Sequence, residues 1–316
     1  MLAYIVRRLL LLVPVLVIVG TVVFLLMHLT PGDPASVMLG REATQEQKDA
    51  LREQLGLNEP LPVQFVRWFG NALRLDFGDS LFIGKPVTTA LLERAQPTGL
   101  LTLYSLTLAL VIAIPAGVIA AVRANSLLDR LLMVVSISGA AIPGFFFGIL
   151  LILLFAVVLG WLPSGGYADF DDDPIQHLKY MLLPTLALGF SAAGLLARLV
   201  RSTMLDVLNE EYVRTAYAKG LRERHVVLWH ALRNALIPVV TLVGVLLAGM
   251  LGGAVVIETV FNIPGMGRLL VQSVTRRDFP VVQGAVMTVA AVEVLVMLLV
   301  DVLYVFIDPR IRYGDD

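Results

Sequence analysis

Six stretches of this sequence are each long and apolar enough to cross a lipid bilayer, and they constrain the chain more than any other feature. A membrane helix needs roughly 20 mostly apolar residues, because the hydrocarbon core is about 30 Å thick. The stretches lie at about 9–29, 100–122, 132–159, 180–200, 236–257 and 281–307. Pro14, Pro115, Pro143 and Pro184 fall inside them. Buried against neighbouring helices, such prolines are tolerated in a membrane, because the carbonyls they free find other donors. The expected fold is therefore all-α, with six transmembrane helices. Composition agrees: 58% of residues are hydrophobic and 16% charged, against about 45–50% and about 25% in soluble domains. A net charge of −1 gives no reason to expect nucleic acid as a partner, and the absence of cysteine excludes disulfides, thiol catalysis and thiolate metal sites.

The first stretch has the basic start of a signal peptide, Arg7 and Arg8. Its apolar run, Leu9 to Leu29, exceeds the 7–15 residues or so of a signal core, and no small-residue cleavage site follows. It reads as an uncleaved first helix. Orientation follows from basic residues near helix ends. Arg7, Arg8, Arg123, Arg130, the run from Arg198 to Arg233, and Arg310 with Arg312 mark the N-terminus, the second and fourth loops and the C-terminus as cytoplasmic. The third loop holds Asp169, Asp171, Asp172 and Asp173, with Lys179 its one basic residue, and faces outward. The chain then divides into 1–29 (N-terminal end and helix one), an extracytoplasmic subdomain at 30–99, a core at 100–307 with a cytoplasmic loop at 201–238, and a cytoplasmic tail at 308–316. Within the outer subdomain Thr44, Gln47 and Gly56 read as cap, capping box and stop of one short helix. Phe65, Trp68, Phe69, Ala72 and Leu73 lie at helical spacing in a second one over 62–75.

The most informative cytoplasmic stretch is Glu210–Pro238, EEYVRTAYAKGLRERHVVLWHALRNALIP. Tyr212, Ala216 and Lys219 share helical spacing, Gly220 breaks it, and a second helix from about Arg224 leads into helix five. A helix–glycine–helix unit lying flat on the cytoplasmic face gives a soluble partner a rigid edge to grip.

At this stretch the chain resembles the permease subunits of ABC importers. Their loop pattern is E-A-A, three residues, glycine, nine residues, then I-x-L-P. It is met at Ala216, Gly220 and Leu232 and missed at Arg214, Thr215, His230 and Arg233. The misses resemble the dipeptide, oligopeptide, glutathione and nickel branch, with R-T-A-x-A-K-G then H-A-L-R-N-A-L-I-P-V-V-T. So do H-L-T-P-G-D-P (His28 to Pro34), Q-L-G-L-N-E-P-L (Gln54 to Leu61), E-T-V-F-N-I-P-G-M-G-R-L-L (Glu258 to Leu270), R-D-F-P-V-V-Q-G (Arg277 to Gly284) and D-V-L-Y-V-F-I-D-P-R-I-R-Y (Asp301 to Tyr313).

The resemblance implies a type I ABC importer permease fold. It implies as partners two ATP-binding subunits, a second homologous permease and an extracytoplasmic substrate-binding protein in a bacterial or archaeal inner membrane. It assigns coupling to the ATPase to Glu211, Tyr212, Arg214, Thr215, Ala216, Lys219, Gly220 and Leu221. The chain itself has no G-x-x-x-x-G-K-[S/T] phosphate loop and no G-x-S-x-G elbow, so it is expected to be neither the ATPase nor another enzyme, and to need no cofactor. The expected cargo is a di- or oligopeptide first, glutathione second and a nickel chelate third. An ion-coupled secondary transporter would instead show more helices and paired broken segments.

Other polar and aromatic residues carry weaker signals. Glu293, near the middle of helix six, is a candidate for the translocation path, because a carboxylate at that depth is costly; a hydrogen bond to a neighbouring helix would equally account for it. Phe146, in Phe145-Phe146-Phe147 after the Pro143-Gly144 break, is a candidate gate, with lipid or core packing the plainer alternative. Asp301 is expected to pair with Arg198 or Arg201. His28, His177, His225 and His230 have no metal-ligand spacing and are expected at the surface or at helix ends. Asn234 and Arg233 are expected to satisfy backbone groups where the loop enters helix five.

Overall fold

A computed structural model describes residues 2–29, 34–39, 44–54 and 56–307, with the side chains of 2–12, 34, 37, 38, 51, 54, 301 and 303–307 outside the description. The expected cytoplasmic tail at 308–316 and the side chain of Asp301 therefore lie outside the described residues. The elements are α1 (Leu2–Leu29), α2 (Pro34–Leu39), α3 (Gln45–Gln54), α4 (Leu61–Ala72), α5 (Val87–Val122), α6 (Leu127–Ala141), α7 (Gly144–Leu151), α8 (Pro174–Leu208), α9 (Glu211–Ala218), α10 (Glu223–His225), α11 (Leu232–Val260), α12 (Met266–Arg276) and α13 (Phe279–Ile307). Two π-helical segments join this series. Ile152–Val158 extends α7, and Val226–Ala231 links α10 to α11. Extended structure among the described residues amounts to one isolated bridge, Asp79 with Pro86.

All six apolar stretches are helical, and their limits differ from the sequence reading in instructive ways. Val87–Val122, Pro174–Leu208, Glu223–Val260 and Phe279–Val300 are each long and apolar enough to cross a membrane. The first three of these begin well before the apolar runs they contain. The third stretch is two helices, α6 and α7, bent by 106° at Ile142–Pro143. The bend falls at the Pro143-Gly144 break that the sequence marks. Pro143 stands at the N-cap of α7, a helix start being a place where its missing N–H costs nothing. In α1 the described apolar portion is Val13–Leu29.

The chain forms two compact units, Met1–Gln96 with Gly265–Val294, and Pro97–Pro264 with Leu295–Asp316. In the first, α3 begins as its sequence dictates: the Gln47 N–H donates to Thr44 Oγ1 at 3.3 Å and the Thr44 N–H to Gln47 Oε1 at 3.0 Å. Phe65, Trp68 and Phe69 of α4 gather with Phe24 of α1, the Phe24 and Phe65 centroids 5.4 Å apart. The buried apolar core includes Phe77, Val87, Leu91, Leu269, Val281 and Ala285. Asp278, itself buried, ties two distant segments of this unit together. It accepts from Ser80 Oγ at 2.5 Å and from the Leu81 N–H at 3.2 Å.

The second unit is built around α8, whose small residues allow backbone to approach backbone. A Cβ added at Gly194 would stand 2.3 Å from the Ser136 carbonyl of α6, and one at Gly117 would stand 2.7 Å from the Ala197 carbonyl. Leu196, Ala197, Val200 and Met204 of α8 pack with Ala109, Ala113, Ala235 and Val239 of α5 and α11.

Candidate functional site

α9 has the form of an edge. Glu210 enters it extended, and Glu210 and Glu211 place negative charge at its N-terminus, where the helix dipole favours it. One face is anchored: Val213 and Ala216 are buried with Val226 of the π segment and pack against Val207 and Leu208. The C-terminal end closes as a Schellman motif. The Gly220 N–H donates to the Tyr217 carbonyl at 2.9 Å and the Leu221 N–H to the Ala216 carbonyl at 3.4 Å, with Gly220 at φ +77°. A Cβ at Gly220 would meet nothing within 4 Å. Glycine is needed there for its backbone angle and not for space.

Of the residues assigned to ATPase coupling by resemblance, Glu211, Tyr212, Arg214, Thr215, Lys219, Gly220 and Leu221 are all exposed on and just after α9. Ala216 is not: it is 6% exposed and faces inward. Its small side chain lets α9 lie close to the elements beneath it.

The second helix starts at Glu223, one residue before the expected Arg224. Asn234 does satisfy a backbone group at the entry to α11, its Nδ2 donating to the His230 carbonyl at 3.2 Å. It also donates to the Tyr212 hydroxyl at 2.7 Å, a partnership that residue spacing does not reveal, and the Tyr212 hydroxyl donates to the same His230 carbonyl at 3.4 Å.

Arg201 is paired, but with Asp129 of α6. Its Nε donates to Asp129 Oδ1 at 2.6 Å and an Nη to Oδ2 at 2.8 Å, with the carboxylate side chain 4% exposed. The fork matches the two carboxylate oxygens, so α6 and α8 are fixed in register as well as in contact. Asp129 also accepts from the Asn125 N–H at 2.8 Å, tying the preceding turn to the same group.

The two path candidates fall in different compact units. Phe146 is exposed beside Phe145, while Phe147 turns inward and stacks on Phe190 with centroids 4.6 Å apart. Glu293 is half-buried on α13. A second membrane carboxylate escaped the sequence reading. Glu258 lies just beyond the apolar run at 236–257, but α11 continues to Val260, so Glu258 is inside the helix and fully buried, accepting from Thr98 Oγ1 at 2.5 Å. An acidic residue abutting an apolar run was the available signal.

His177 lies at a helix end, as expected, and its burial is the new finding. It stands in the first turn of α8 and is fully buried. Tyr104, Tyr167 and Phe170 set their rings edge-on to it at 5.4–5.8 Å, and its Nδ1 contacts the Ala168 carbonyl at 2.7 Å. Aromatic neighbours from the loop before α8 supply an apolar cage that its sequence spacing does not reveal. Burial, with nearby Asp169 adding to it, pushes the Tyr167 phenol above its ordinary range. In the acidic run, Asp173 has a defined task as the cap of α8, accepting from the N–H groups of Ile175 and Gln176 at 3.1 and 3.0 Å.

Comparison with known proteins gives consistent results. The family described as "Binding-protein-dependent transport system inner membrane component" matches residues 113–313, and its N-terminal counterpart, "Binding-prot-dependent transport system membrane comp, N-term", matches residues 1–86. The chain is 47% identical over 313 residues to the glutathione transport system permease protein GsiC of Escherichia coli (strain K12), covering 99% of this chain and 100% of that one. It is 43% identical over 310 residues to the probable peptide ABC transporter permease protein y4tP of Sinorhizobium fredii, covering 98% and 99%. Among solved structures, an inward-facing form of the MetNI methionine ABC transporter contains a chain that matches with a TM-score of 0.55 at 19% identity, over 69% of this chain and 96% of that one. That match bears on the fold alone.

Proposed function

This chain belongs to the family of membrane components of binding-protein-dependent ABC importers, and we propose that it carries a small peptide, with glutathione as one such cargo, across the inner membrane by alternating access. The nickel chelate is set aside, because the two relatives described above are named for peptide and for glutathione. The complete bundle has six spans, with α1 and the broken pair α6–α7 as two of them. Both termini face the cytoplasm, as does the segment 201–238, on the strength of its basic residues. The partners are two ATP-binding subunits, a second homologous permease and an extracytoplasmic binding protein.

The observation that carries this reading is α9. Its apolar side is sunk into the second unit through Val213 and Ala216, and its other face carries Glu211, Tyr212, Arg214, Thr215 and Lys219 in the open. The Gly220 turn and Leu221 end it without a loose tail. A partner that grips those residues moves a segment already packed on α8 and joined to α11. ATP binding on the partner subunits drives α9, α9 drives the membrane helices, and the path opens outward to receive cargo from the binding protein. Hydrolysis returns it to the inward-open form. Glu293 and Phe146 are the side chains of this chain proposed to line the path, Glu293 because it brings a carboxylate into an apolar span.

The test is uptake by membrane vesicles that contain the assembled importer and its binding protein, measured with labelled glutathione and with a labelled dipeptide, each competed by the other. ATP-dependent accumulation of either one supports the reading. Accumulation of neither, with intact subunits present, would set the cargo assignment aside.

A further inference from the structure

We propose that Asn234 is a positioning residue that clasps α9 to α11 across a π-helical joint, so that the two move as one body. The inference rests on the reading of α9 as the element gripped by the ATPase, and it concerns what happens to the motion after the grip.

The joint is the first observation. Between α10 and α11 the chain is π-helical over Val226–Ala231, where the Leu232 N–H donates to the Val227 carbonyl, five residues back. A π insertion breaks the regular ladder of hydrogen bonds and is a recognised place for a helix to bend. Placed between a driven edge and the membrane helix it must drive, such a joint would absorb displacement by flexing.

The second observation is what spans it. Asn234 lies in the first turn of α11, beyond the joint. Its amide donates at 2.7 Å to the Tyr212 hydroxyl of α9 and at 3.2 Å to the His230 carbonyl within the joint. The Tyr212 hydroxyl donates to that carbonyl as well, at 3.4 Å. Three elements therefore meet at one small polar contact.

The third observation is where the apolar attachment ends. Val213 and Ala216 of α9 are buried with Val226, the first residue of the joint. That cluster holds α9 to the near end of the joint. The Tyr212–Asn234–His230 contact holds it to the far end. With both ends held the joint cannot flex independently of α9; with the far end released it can.

The chain has no cysteine, so paired spin labels can be attached without removing native thiols. Labels at Glu210→Cys, ahead of α9, and Val245→Cys, on the exposed side of α11, report the distance between the two helices in the assembled importer, first without nucleotide and then trapped with ATP and vanadate. With native Asn234 the distance distribution keeps its width on trapping. Asn234→Ala is expected to broaden it and to lower glutathione uptake per ATP hydrolysed about fivefold, the factor set by one hydrogen bond of ordinary strength, while the ATP-binding subunits still co-purify. Tyr212→Phe, a milder change, is expected to give the same broadening, and the double variant no more than either alone. An unchanged width and unchanged uptake per ATP in Asn234→Ala would overturn the proposal. So would loss of the ATP-binding subunits in that variant, which would make Asn234 part of the grip itself. Capture of those subunits by the chain with native Asn234 reports on the grip separately, so the two readings fail on different measurements.

Discussion

Two glycines of this chain, Gly194 in α8 and Gly220 after α9, occupy their positions for opposite reasons. At Gly194 the backbone angles are those of an ordinary helix, and the surroundings are closed: the Ser136 carbonyl of α6 stands where a side chain would begin. At Gly220 the surroundings are open and the backbone is the constraint, at φ +77°. The α8 region is held by shape, with Asp129–Arg201 fixing its register, and little of it is free to meet another molecule. The α9 region is held by one apolar face, a cap and the Tyr212–Asn234–His230 contact, and the rest of its outer face is exposed. Substitutions in the first should act on stability and through it on abundance. Substitutions in the second should act on partnership at nearly constant stability.

The largest effect is expected from Arg201→Met. It leaves the Asp129 carboxylate buried without its partner, and breaking such a pair costs about 3 kcal/mol or more. Thermal unfolding of the purified subunit should show it. Adding Asp129→Leu should restore most of the loss, because the unpaired charge is then gone; failure to restore would mean that the pair does more than hold α6 to α8. Next comes Gly194→Val. Overpacking against a backbone carbonyl costs about 1–3 kcal/mol, and separation of α6 from α8 is the only relief. The same unfolding measurement applies, and a neutral outcome would contradict the close approach. The smallest stability effect is expected from Lys219→Ala on the exposed end of α9, within about 0.5 kcal/mol. Retention of ATP-binding subunits on this variant should nonetheless fall. A subunit that is destabilised and still retains them would reverse the contrast between the two regions.

Much of this architecture was legible in the sequence because membrane helices declare themselves by length and apolarity, without long-range information. All six stretches became helices. The cap at Thr44–Gln47 and the break at Gly220 were legible for a related reason: both depend on residues within a few positions of each other. What could not be read was every feature that joins distant positions. Asp129 finds Arg201 across 72 residues, Ser80 finds Asp278 across 198, and Thr98 finds Glu258 across 160. Nothing in the spacing of Tyr212 and Asn234 marks them as partners, since the π segment between them changes the rotation of the helix by an amount no periodicity announces. The burial of His177 at its helix end was not legible because the rings that enclose it come from a loop and from α5. Ala216 was assigned with the exposed coupling residues because a resemblance transfers positions and carries no burial.

The central claim, that the exposed side of α9 receives an ATP-binding subunit, is tested most directly by affinity purification of the tagged chain from its native membrane. Mass spectrometry identifies what comes with the native chain, with Gly220→Asn and with Gly220→Val. Asparagine tolerates the left-handed backbone at this turn and valine does not. The account predicts that ATP-binding subunits accompany the native chain and Gly220→Asn and are lost from Gly220→Val. Equal recovery of those subunits with Gly220→Val, or their absence from all three under gentle detergents, would contradict it.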